Sequence, residues 1–111
     1  MMVVTIRSID EFDRQIKRLS KKYHSLQTDL QIFVSDLRKN PSQGDDLGQG
    51  IRKVRMAIAS KGKGKSGGAR VITYRIEEID GELNLVLLTI YDKSEMESVS
   101  NSFIKSLINR I

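Results

Sequence analysis

The segment from Leu83 to Tyr91, LNLVLLTIY, is apolar on both parities of an extended chain, with Leu85 and Leu87 facing one way and Val86, Leu88 and Ile90 the other. A strand that is wet on one face alternates apolar with polar residues, whereas one that is apolar on both must be covered on both and so lies centrally in a sheet. Asp80-Gly81, just before it, is a hairpin signal joining it to a preceding strand over residues 70 to 79. Upstream, residues 51 to 58 (IRKVRMAI) separate core from charge by parity alone, with Val54, Met56 and Ile58 on one face and Lys53 and Arg55 on the other.

The cover for this sheet comes first in the chain. Residues 2 to 6 read as a short β-branched strand, after which Ile9, Phe12, Ile16, Leu19 and Tyr23 recur at helical spacing. Ser8 and Glu11 are placed to form a capping box at the start of this helix. A second helix carries Leu26, Leu30, Phe33, Val34 and Leu37 on one face and is ended by Asn40 and Pro41. So short a turn between two amphipathic helices makes an antiparallel hairpin with one apolar face to bury. Residues 41 to 50 are expected to be an irregular connection. A final helix, about residues 98 to 110, aligns Val99, Phe103, Leu107 and Ile111 in a stripe that covers the end of the sheet or docks against a partner. The expected fold is α+β, with an N-terminal strand and helical hairpin packed on one face of a mostly antiparallel sheet and a C-terminal helix. With 111 residues, 39% of them apolar, the chain has material for a single domain spanning 1–111.

Charge is unevenly placed. The net charge is +5, yet all fourteen acidic residues lie outside the stretch from Leu47 to Arg75, which holds Arg52, Lys53, Arg55, Lys61, Lys63, Lys65, Arg70 and Arg75. A concentrated positive field steers polyanions and binds backbone phosphates through counterion release, so nucleic acid is the first candidate partner. The bland alternative for any lysine and glycine run is a solvated, mobile connection. Here, however, part of the charge occupies alternate positions on strands, which a random loop does not require.

Several chemistries are excluded or disfavoured. The absence of cysteine removes disulfides, thiolate metal sites and thiol nucleophiles. The single histidine, His24, has no second histidine with which to bind a metal and suits a structural or capping role. Gly64-Lys65-Ser66 resembles the end of a P-loop, but Ala59 stands where the first glycine belongs and a strand follows instead of a helix. Asp45, Asp46, Glu77, Glu78 and Asp80 lack EF-hand spacing and read as solvated surface. The N-terminal MMVVTI is too short for a signal peptide or membrane span, so the expectation is a cytoplasmic protein without membrane contact, cofactor or metal.

One constellation remains: Lys53, Arg55, Arg70, Tyr91 and Lys93, drawn from three strands that should be neighbours. Cations grip phosphate oxygens, and an aromatic ring or hydroxyl beside them stacks on or hydrogen-bonds a base.

The framework FDRQIKRLSKKY, then a helix ending in LRKNP, then RKVRM, then SKGKGKSGGARVITY, then LLTIYDKSE resembles the RelE/ParE superfamily of type II toxin-antitoxin toxins, and within it the HigB-like branch. The resemblance covers nearly the whole chain, and its most specific parts are the KGKGKSGG-x-R loop and the LLTIYDKSE strand end. It implies a RelE-like fold and an mRNA interferase, a metal-independent endoribonuclease that cuts messenger RNA in the ribosomal A site and is neutralised by a cognate antitoxin. In that chemistry the 2′-hydroxyl attacks the adjacent phosphate. Guanidinium and ammonium groups stabilise the added negative charge. A lysine among other cations is favoured as a base because they disfavour its charged form.

By the resemblance, Lys53 is the base candidate, Arg55 and Arg70 are phosphate and transition-state clamps, and Lys93 is a further clamp or the leaving-group acid. Arg52, Lys61, Lys63, Lys65 and Tyr91 are the expected RNA contacts, the loop lysines as flexible point charges. The tyrosine that stacks on the base in RelE would fall around Ser98 to Ser100, where none stands, leaving Tyr91 or ribosomal RNA for that task. Two other functions stay open: a ParE-like toxin that poisons gyrase by binding protein and does not need the clustered Lys53, Arg55, Arg70 and Lys93, and a non-catalytic RNA or DNA binding module, for which the basic strand and loop suffice. Fold does not separate these.

Overall fold

The computed structural model describes residues 3–77 and 80–111. Strand β1 (Val3–Ser8) leads into helices α1 (Asp10–Lys22) and α2 (Leu26–Lys39), followed by strands β2 (Asp45–Gly48), β3 (Ile51–Met56), β4 (Ala69–Glu77) and β5 (Glu82–Asp92) and helix α3 (Asn101–Ile108). A single turn of 3-10 helix, Ala59–Lys61, opens the loop between β3 and β4. The five strands form one mixed sheet in the order β1-β5-β4-β3-β2. β1 runs parallel to β5, and the other pairings are antiparallel. The architecture is α+β.

β5 is central, as its composition requires. Leu83, Leu85 and Leu87 pack with Phe12, Leu19, Leu26, Phe33 and Leu37 of the helical hairpin, whereas Val86 and Leu88 pack with Ile104 and Leu107 of α3. The two clusters lie on opposite faces, so β5 is covered on both, by the helical hairpin on one and by α3 on the other. α3 covers a face of the sheet and not its end, because Ile51 and Ile72 supply an apolar patch there for it to bury. Its start is later than the stripe suggests. Ser100 caps it, its hydroxyl accepting from the Phe103 amide at 3.1 Å, which fixes Asn101 as the first helical residue.

Local chemistry moves two other boundaries. The expected Ser8–Glu11 capping box does not form: β1 runs through Ser8, whose hydroxyl donates to Asp13 Oδ1 at 2.6 Å, and Ile9 takes the N-cap position. The connection after Pro41 is not wholly irregular either. Asp45 and Asp46 pair with Lys53 and Arg52, adding β2 to the sheet, although no apolar alternation announces it. The ends of the expected strands over residues 2 to 6 and 70 to 79, at Met2 and at Glu78 and Ile79, lie outside the described residues. At the hairpin itself Asp80 and Gly81 both take positive φ, 73° and 74°, the combination a type I′ turn demands.

Candidate nucleic-acid interface

The register of three strands assembles the site. Arg55 pairs with Arg70, and Arg70 pairs with Tyr91, so these three residues form one row across β3, β4 and β5. Lys53 opposes Ile72 in the row beside it. Arg70 and Ile72 share a parity with Tyr74 and Ile76, which pack in the α3 cluster. The row therefore lies on the face that carries α3. Lys93 follows two residues after Tyr91, and its amide donates to the Gly68 carbonyl at 3.2 Å. The KGKGKSGG-x-R loop and the IYDKSE strand end are thus in direct contact.

The basic residues fall into two groups there. Arg55, Lys63, Lys65 and Lys93 are exposed and Lys53 is half-buried, and no ion pair joins any of the five to a described residue. The others are engaged. Arg70 is 7% exposed. Its Nη1 donates to the carbonyls of Lys65 and Ala69 and its Nη2 to that of Ser66, all at 3.2 Å. Carbonyl oxygens satisfy its donors without cancelling its charge. Arg52, an expected RNA contact, is tied instead to the Gly44 carbonyl at 3.1 Å and to Asp46 at 3.7 Å, because β2 brings both alongside.

Lys61 corrects the expectation of a flexible point charge. It stands in the 3-10 turn, and its Nζ lies 2.8 Å from Asp92 Oδ1 and 3.3 Å from the Ser94 hydroxyl. The Tyr23 ring centroid is 5.5 Å away. Asp92 also accepts from the Tyr23 hydroxyl and, at 2.9 and 2.7 Å, from the amide and hydroxyl of Ser94. Burial pushes this carboxyl upward, but the hydrogen bonds from Lys61, Tyr23 and Ser94 outweigh it and hold the group well below its ordinary value. Nearby, Arg18 grips Glu95 through two bonds of 3.1 Å.

Tyr91 also departs from expectation. It is 4% exposed, packed among apolar side chains, and its hydroxyl has no hydrogen-bond partner among the described residues. Burial raises its pKa, partly opposed by Arg70. A ring so enclosed offers no face for a base to stack on. Beside the row, Arg55 and Lys65 line a cleft of about 80 Å³ between α2 and β3, with Phe33, Met56 and Ala57 among its walls.

Asp92, Tyr23 and Glu95 are not singled out by sequence reasoning. The available signal is an acid placed immediately after a long apolar strand, where burial is forced and cationic partners must follow. Among the described residues no group of three or more His, Cys, Asp or Glu side chains could hold a metal ion, and no helix is long and apolar enough to cross a membrane. No protein-family model matches the chain, so the residues themselves carry whatever function is assigned to this surface.

Proposed function

We propose that this chain is a RelE-like toxin of a type II toxin-antitoxin pair, of the HigB-like branch, acting in the cytoplasm as a ribosome-dependent mRNA endoribonuclease. The observation that carries this reading is the set of five basic side chains without ion pairs to any described residue, Lys53, Arg55, Lys63, Lys65 and Lys93, drawn from β3, the β3–β4 loop and the segment after β5. Arg70 adds an uncancelled charge beneath them. Such a surface favours a polyanion, and the resemblance of the KGKGKSGG-x-R loop and the LLTIYDKSE strand end to that superfamily supports the choice of RNA.

In the proposed reaction the 2′-oxygen attacks the adjacent phosphorus, its proton passes to the lone pair of the Lys53 amine in its unprotonated form, and the bond to the 5′-oxygen breaks as that oxygen takes a proton from the Lys93 ammonium. The products are a 2′,3′-cyclic phosphate and a 5′-hydroxyl. Arg55 stabilises the charge that accumulates on the phosphorane oxygens, and the field of Arg70 supports it from below. The chemistry calls for no cofactor. The neutralising partner would be a cognate antitoxin, and the substrate messenger RNA on the ribosome.

Primer-extension mapping on a defined message in a purified translation system tests this. Cuts in phase with codons that vanish in a Lys53→Ala, Arg55→Ala variant are expected. Absence of cuts, together with gyrase inhibition that survives the same substitutions, would instead identify a ParE-like poison. Binding of RNA or DNA with neither activity would identify a plain binding module.

A further inference from the structure

Lys61 and Arg70 sit at the two ends of the loop that carries Lys63 and Lys65, and both are buried by contacts with their own chain. At the entry, the Lys61 side chain is 8% exposed and anchored on Asp92, itself fixed by Tyr23 of the segment after α1 and by Ser94. At the exit, the planar fork of Arg70 holds the carbonyls of Lys65, Ser66 and Ala69. Gly68 presses the loop onto β3, since a Cβ there would lie 2.2 Å from the Met56 carbonyl oxygen. Between these anchors Gly62 and Gly64 take positive φ, 68° and 63°, with open space around them. The loop is clamped at both ends, and between the clamps Lys63 stands between these two glycines and packs back on Gly67.

We infer that Lys61 and Arg70 are positioning residues that set the shape of the β3–β4 loop and do not touch the bound polyanion, whose phosphates are held by Arg55, Lys63, Lys65 and Lys93. The inference rests on the reading of this surface as a site for single-stranded RNA. It assigns different tasks to chemically similar side chains. Fixing the loop before binding lowers the ordering cost that a free lysine loop would incur on meeting its ligand.

Two measurements separate phosphate binding from positioning. The first is the slope of log affinity against log salt for a labelled single-stranded RNA oligonucleotide, which becomes shallower by about 0.7 for each phosphate that the protein no longer neutralises. Lys63→Ala and Lys65→Ala are each expected to lower it by that amount. The Lys61→Met, Asp92→Asn double variant, which strands no buried charge, and Arg70→Lys, which keeps the charge without the fork, are expected to weaken binding with the slope unchanged.

The second is amide hydrogen exchange over residues 62 to 68 in the free protein, expected to quicken by about tenfold for each charge-assisted bond removed. A drop in slope for the Lys61 double variant matching that of Lys63→Ala would overturn the inference, as would unchanged loop exchange in both it and Arg70→Lys. A wild-type protein that does not bind RNA would refute the functional reading instead, and the exchange data would still decide whether these residues hold the loop.

Discussion

The Lys61 ammonium lies 2.8 Å from a carboxylate oxygen of Asp92, and the two side chains are 8% and 0% exposed. The pair joins the turn after β3 to the end of β5, with Tyr23 donating to the other carboxylate oxygen. A buried ion pair of this kind holds only if every remaining polar atom is satisfied, and here Ser94 contributes both its amide and its hydroxyl.

Acid should unfold the protein partly through Asp92. Its folded pKa is depressed, so its stabilisation is fully present above the unfolded value, near 3.8, and is lost as pH falls from there through the folded value. Urea midpoints measured from neutral pH down to pH 2 should therefore fall less steeply below pH 4 for Asp92→Asn than for the wild type. Parallel curves would mean that Asp92 is not the group responsible.

Tyr23→Phe removes one donor from the same carboxylate and keeps the ring. A hydrogen bond to a charged group contributes about 1.5–3 kcal/mol, so a stability loss in that range is expected by denaturant unfolding. The loss should shrink in the Asp92→Asn background, where the charge is already gone.

Glycine substitutions should rank by what surrounds them. Gly68→Ala drives a methyl into the Met56 carbonyl and should cost about 3 kcal/mol, the upper end of overpacking penalties. Gly62→Ala meets open space and incurs only left-handed backbone strain, about 1 kcal/mol. Thermal melts of the two variants check the order.

Activity and stability should separate at the basic side chains of β3. Lys53→Ala and Arg55→Ala break no ion pair with any described residue, so each should alter stability by no more than about 0.5 kcal/mol. In the translation assay, each should lower cleavage at least tenfold if it stabilises the transition state by about 1.4 kcal/mol or more. Unfolding curves run alongside the cleavage assay test both halves of this expectation.

Much of the fold is legible in the residues because parity and helical spacing encode which faces are buried. Leu83 to Tyr91 announces a central strand, and the Phe12 and Phe33 stripes announce the hairpin that covers it. What stays illegible depends on partners distant in sequence. β2 exists because Asp45 and Asp46 meet Lys53 and Arg52 across a turn, and nothing in GDDLG marks a strand. The site is half legible for the same reason. A basic run displays its charge but not its engagement, and only the fold reveals that Lys61 meets Asp92 and that Arg70 holds three carbonyls while Lys63 and Lys65 are left to solvent. Tyr91 reads as an available ring until the fold brings Ile72 and Leu88 around it, on the side opposite the hairpin.

The parallel pairing of β1 with β5 sets a timetable for the nascent polypeptide. Val3 aligns with Glu82 and Ser8 with Leu87, so β1, which leaves the ribosomal exit tunnel well before β5, must wait for that strand before it has a partner. Both hydrophobic clusters run through β5 as well, which leaves the hairpin with only part of its cover while the chain is still short. Folding during synthesis is consequently deferred, because the hairpin core closes only when β5 arrives and the opposite core only when α3 follows it. A polypeptide released before Glu82 would lack either core, and with it the strand end against which the basic loop takes its shape.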